Sequence, residues 1–146
     1  MRNLKVKVKS AKGRSISSTR WLKRQLNDPF VKEAKLQGFR SRSAFKLIEI
    51  NNKFNFLKKG HNVLDLGCAP GGWCQVAAQK VGVKSSEELV VGLDLKSCEP
   101  IVGVKFVEID FLDETQFLEF ENSLDTKFNV ILSDMAPNST GHKKTD

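Results

Sequence analysis

The chain has 146 residues, of which 40% are hydrophobic and 28% charged, with a net charge of +7. That length suits one domain whose core can stand without disulfides or metal, and the mixture argues against wholesale disorder. No apolar run approaches the ~20 residues of a membrane-spanning helix, and no secretory signal is evident, so membrane and secreted classes are not expected.

The charge is unevenly placed. Residues 1–60 carry 17 Lys/Arg against 3 Asp/Glu, and residues 61–146 carry 7 against 14. Folding does not require such a split, and basic segments attract phosphate backbones through counterion release. A solubilising tail is the plainer alternative. Residues 1–17 are basic, Ser-rich and free of acid. They read as a flexible RNA-contacting arm. A mitochondrial transit peptide has similar composition, but the basic character runs well past residue 17.

Basic helices are expected over residues 18–58. Ser17 or Ser18 caps a helix through Trp21, Leu22 and Leu26. Asp28-Pro29 reads as N-cap and first helical residue, and Gly38 as the stop of a helix through Val31, Ala34 and Leu36. A third helix starts near Ser43, where Phe45, Leu47, Ile48, Ile50 and Phe54 form an apolar face at helical spacing, with Lys46 beside it.

From residue 61 the pattern becomes α/β. Strands are expected at Val63–Leu66, Leu89–Leu93, Val104–Ile109 and Phe128–Leu132, with helices near 72–80 and 113–122. Strands alternating with helices predict a parallel sheet of right-handed β-α-β units, covered on both faces. A sheet ending at the fourth strand would leave an apolar edge unpaired, so the chain reads as cut short of a complete doubly wound domain.

Three cysteines (Cys68, Cys74, Cys98) without a C-x-x-C pair fit a reducing compartment. His61 and His142 are isolated, no cluster has zinc-ligand spacing, and no metal is expected. Cys74 lies where a helix should begin, which lowers a thiol pKa; simple packing is the plainer role.

Ligands of open α/β sheets bind outside the carboxyl ends of the strands. Each strand here places an aspartate at or near that end: Asp65, Asp94, Asp110 and Asp134. One would be turn chemistry, but four around a Gly-rich turn form a constellation. The turn, Asp65 to Trp73, is not a strict G-x-G-x-x-G; Gly67 and Gly71 still permit close backbone approach to a ligand. An acid before the loop suits a cation better than a diphosphate. S-adenosylmethionine, with its sulfonium, ribose and adenine, fits. Asp94 is positioned for the ribose hydroxyls and Asp110 for the adenine edge. Trp73 either packs on the cofactor or serves the core.

The segments Arg40-Ser41-Arg42-Ser43-Ala44-Phe45-Lys46-Leu47, Asp65 to Trp73, Pro100 to Val104 and Ser133 to Asn138 resemble the FtsJ (RlmE-type) ribosomal RNA 2′-O-methyltransferases, and the likeness runs from about Ser15 to the last residue. The resemblance implies a Rossmann-like S-adenosylmethionine-dependent methyltransferase fold. It implies methylation of a uridine ribose in the RNA of the large ribosomal subunit. Cofactor contacts fall on Gly71, Trp73, Asp94, Asp110 and Asp134. Of the family's Lys-Asp-Lys-Glu catalytic set, Lys46 and Asp134 match; the second Lys and the Glu have no counterpart within residues 1–146. The second Lys is the family's favoured base, and loss of a general base typically costs about 10²–10⁴-fold, so weak or absent activity is expected of this chain alone. Arg40 and Arg42 are expected on RNA phosphates rather than bases. A monomer in bacterial cytoplasm is expected, with the mitochondrion as second choice. Two other readings remain: a non-catalytic RNA-binding protein, and a nicotinamide-dependent oxidoreductase.

Overall fold

The computed structural model describes residues 20, 28–82 and 87–135. The expected arm and first helix lie outside those residues, Arg20 excepted.

The first described helix, α1 (Pro29–Leu36), begins as its sequence dictates. The Asp28 side chain accepts hydrogen bonds from the Phe30 and Val31 amides at 2.8 and 3.3 Å, and proline opens the first turn. Gly38, at φ +78°, follows its end. Helix α2 (Ser43–Phe54) ends at Asn55, which takes a left-handed conformation. Asn51, buried on α2, uses its side-chain oxygen to accept from the Phe56 and Leu57 amides at 3.1 and 2.9 Å. A buried polar group thus pins the turn that delivers the chain to the sheet.

The sheet holds β1 (Val63–Leu66), β2 (Val90–Asp94), β3 (Val104–Glu108) and β4 (Val130–Ser133), all parallel, in the order β3-β2-β1-β4. Helix α3 (Gly72–Val81) links β1 to β2, and α4 (Glu114–Asn122) links β3 to β4. The chain therefore steps outward from β1 to β3 and then returns to the other side of β1. Strand order reverses between β1 and β4, which is where such folds open a ligand crevice.

Side-chain alternation divides the strands between two cores. Val63, Val90, Val104 and Leu132 pack with Leu47 of α2 and Trp73, Cys74 and Val76 of α3. Leu64, Val91 and Leu93 pack with Phe120 of α4. Beside Leu64, its β4 partner Ile131 lies 64% exposed, and among the described residues β4 pairs only with β1.

Differences from the expected boundaries are small. Asp113 caps α4 rather than starting it, accepting from the Gln116 amide at 3.1 Å. β4 begins at Val130 because Asn129 bonds Asn62 through both its side chain and its amide, making a corner before the ladder. No described helix is long and apolar enough to cross a membrane.

Candidate active site

The reversal point is built around the loop from Gly67 to Gly71. Gly67 and Gly71 have φ of +72° and +115°, where only glycine is relaxed. A methyl group at Gly67 would also strike the Met135 side chain, which follows β4. The loop leads into α3, and together with Ser41, Ser43, Asp65, Trp73 and Asp134 it lines an open cleft of about 90 Å³.

Asp65 occupies the third position of β1 and so points, with Val63, toward α3. It is almost fully buried, and its Oδ2 accepts from Cys74 Sγ at 3.3 Å. Burial raises its carboxyl to about 7; the Cys74 hydrogen bond opposes this, and Asp134 and Asp94 add like-charge repulsion. The charged acid expected from the sequence is therefore close to its titration point.

Asp94, the last residue of β2, holds the loop from behind: Oδ2 accepts from the Ala69 amide and Oδ1 from the Lys96 amide, both at 2.9 Å. Asp134, just after β4, pairs with Lys46 of α2, whose Nζ lies 3.0 Å from Oδ1. The Lys46 ammonium also sits 5.9 Å from the centre of the Trp73 ring. Trp73 serves the core and also borders the cleft. It is largely buried, its indole N–H donates to the Ser43 carbonyl at 2.8 Å, and its remaining surface lines the cleft. Asp110 stands apart. It follows β3 at the far side of the sheet, caps the Leu112 amide at 3.1 Å and does not line this cleft.

A second, shallower groove adjoins the first. It is lined by Arg42, Phe45, Lys46 and Glu49 and shares Ser43 and Asp134 with the cleft. The Lys46–Asp134 pair thus stands where two hollows meet, one under the loop and one along the basic helix.

The structure gives the two arginines expected on RNA phosphates partners within the chain. Arg40 Nη1 donates to the Pro70 and Glu99 carbonyls at 3.1 and 2.5 Å, and Nη2 to the Pro100 carbonyl at 3.0 Å. One guanidinium so fastens the Gly67–Gly71 loop to the segment after β2. The Arg40 amide adds a 2.8 Å bond to Gln75 Oε1. Arg42 pairs with Asp28 while its side chain stays 55% exposed.

Gly92 of β2 was also not anticipated. A methyl group there would lie 2.7 Å from Cys68 Sγ and 3.0 Å from Cys74 Sγ, so its missing side chain leaves room for two thiols. Cys74 is wholly buried, and its hydrogen bond with Cys68 and burial both push its thiol up, which supports packing over reactivity. Among the described residues, no group of three or more His, Cys, Asp or Glu is placed to hold a metal.

Residues 39–146 match the FtsJ-like methyltransferase family. The chain belongs to that family. It is similar to the ribosomal RNA large subunit methyltransferases E of Ruegeria pomeroyi (52% identity over 150 residues) and Azorhizobium caulinodans (53% over 145), aligned across 99% of its length in each case. The chain spans 64% and 60% of those two curated relatives. A crystal structure described as that of a ribosomal RNA methyltransferase from Plasmodium falciparum superposes with a TM-score of 0.62 and 37% identity, covering 74% of this chain and 62% of that one. The parallel sheet and its flanking helices are the FtsJ-like α/β fold.

Proposed function

We propose that the cleft under the Gly67–Gly71 loop binds S-adenosylmethionine, and that the adjoining groove presents a ribose 2′-hydroxyl of large-subunit ribosomal RNA to it. The observation that carries this reading is the Lys46–Asp134 pair standing where the two hollows meet, with the Asp65 carboxyl lining the same cleft. Beyond the effect of burial, the charges of Asp134 and Asp94 help raise the Asp65 carboxyl. A cationic ligand relieves that repulsion, whereas a diphosphate worsens it. When bound, the cofactor supplies an electrophilic methyl group on a positive sulfur.

The residues divide the remaining work. Gly67 and Gly71 let the backbone close on the ligand. Asp94 meets ribose hydroxyls with the lone pairs its two amide bonds leave free. Asp110 is two strands from β1, roughly 10 Å at normal strand spacing, a distance that an adenosine laid across the strand ends can bridge. Lys46, positioned by its pairing with Asp134, orients the hydroxyl and stabilises its developing negative charge. RNA binding rests on the basic first 60 residues and on the exposed part of Arg42. The two curated relatives named above are bacterial, which favours cytoplasm over mitochondrion.

Calorimetric titration of the chain with S-adenosylmethionine tests the reading directly. Binding is expected, with protons released near pH 6 because the arriving cation lowers the Asp65 carboxyl. Affinity for NAD with none for S-adenosylmethionine would overturn it. Cofactor binding without methyl transfer to ribosomal subunits would leave the non-catalytic RNA-binding reading.

Arg40 offers a second check. Arg40→Ala is expected to cost about 2 kcal/mol in urea unfolding, since three carbonyls lose a charged donor. The salt dependence of RNA binding should stay the same. A slope reduced by about 1 would instead identify a phosphate contact.

A further inference from the structure

Cys68 and Cys98 face each other across two segments that Arg40 fastens together. Their Sγ atoms are 3.9 Å apart and both thiols are free. Cys68 belongs to the Gly67–Gly71 loop and lines the cleft; Cys98 lies on the irregular segment after β2 and is half-buried. A disulfide needs the sulfurs about 1.9 Å closer, at ~2.05 Å. Cys98 sits outside helix and strand, so that approach distorts no regular element. Cys74 is a poorer partner for Cys68, because it sits within α3 and is wholly buried.

We propose that Cys68 and Cys98 form a reversible intrachain disulfide when a peroxide enters the donor cleft, and that the cross-link weakens binding of the methyl donor. The functional half rests on the cofactor reading above; the disulfide itself does not. In the first step Cys68 sulfur, as thiolate, attacks a peroxide oxygen. The O–O bond breaks, Cys68 becomes a sulfenic acid and, with hydrogen peroxide, the departing hydroxide leaves as water. Cys98 sulfur then attacks Cys68 sulfur. The S–S bond forms, the S–O bond breaks, and the Cys98 proton leaves with the second water. Two thiols lose two electrons and two protons, and the peroxide takes them up. The order follows from the surroundings: the hydrogen bond with Cys74 lowers the Cys68 thiol, while burial pushes Cys98 up to about 12, which makes the second step the slower.

The test treats the 146-residue chain with hydrogen peroxide, with and without S-adenosylmethionine, and maps its tryptic peptides without reduction. Cys68 and Cys74 fall together on peptide 60–80 and Cys98 on peptide 97–105. The two peptides are expected linked and two hydrogens lighter. The link should survive Cys74→Ser and vanish in Cys98→Ser, where Cys68 is trapped instead as a sulfenic acid that a dione reagent labels. Donor affinity of the oxidised protein should fall about tenfold or more and return with a thiol reductant. Bound cofactor should slow the oxidation. No link, a link within peptide 60–80, or a link lost in Cys74→Ser would overturn the disulfide. A correct link with unchanged donor affinity would overturn its effect on the cleft. Failure of the reduced wild-type chain to bind the donor would instead count against the cofactor reading, and the peptide map would still decide the cross-link.

Discussion

Between pH 4 and pH 7 the chain is expected to lose about 4 kcal/mol of folding stability through Asp65 alone. Its carboxyl stands at about 7 in the folded protein against an ordinary 3.8. An unfolded chain releases this proton above pH 4, whereas the folded chain retains it. The contribution is therefore fully present below pH ~4, declines as pH rises, and is gone above ~7; three units correspond to about 4 kcal/mol. Asp65→Asn keeps an acceptor for the Cys74 thiol but cannot ionise. Urea denaturation at several pH values, taken as the difference between wild type and variant, isolates this group from every other carboxylate. The two proteins should match near pH 4, and the variant should become steadily more stable toward pH 8. Parallel curves would show that Asp65 ionises in the folded state as freely as in water. The same substitution should weaken donor binding, so here stability and function oppose each other.

On the reading proposed above, removing either member of the Lys46–Asp134 pair is expected to lower the residual methyl transfer of this chain by about 10²–10³-fold. The pair joins α2 to the end of β4 over 3.0 Å and is partly open to solvent, so it contributes little to folding. Its value is positional. Lys46→Ala should leave donor affinity close to wild type, because the ammonium faces the groove. Asp134→Asn should lower both affinity and rate, because its carboxylate borders both hollows. The double variant should be little worse than the poorer single one, as expected of groups that act as a unit. Single-turnover transfer of a labelled methyl group reads even a slow rate, and binding of the labelled donor reads the affinity split independently of it. Equal loss of affinity in both single variants would refute the division of roles.

Much of this was readable before any coordinates. Val63–Leu66 is bounded by polar residues and a glycine, and the strand matches it residue for residue. Asp28-Pro29 starts a helix for reasons local to three residues. Other features depend on contacts between distant segments. Arg40 reads as one more cation in a basic run, and only folding brings it to carbonyls 30, 59 and 60 positions away. The inward direction of Asp65 was available in principle from two-residue alternation with Val63. Taking all four aspartates as strand-end acids concealed it, and likewise concealed that Asp110 lies beside a different strand from the cleft. Gly92 gave no signal, because a strand glycine acquires meaning only from the thiols beside it.

The guanidinium at Arg40 also bears on where a portable unit of this fold begins. Charge and periodicity both change near residue 60, which invites a cut there. A protein started at residue 61 would deprive Pro70, Glu99 and Pro100 of their shared donor and strip Leu47 and Ala44 from the face of α3. Any chimera that borrows the strands must carry the preceding helix and its leading arginine with them. The FtsJ-like match over residues 39–146 starts one position ahead of that side chain.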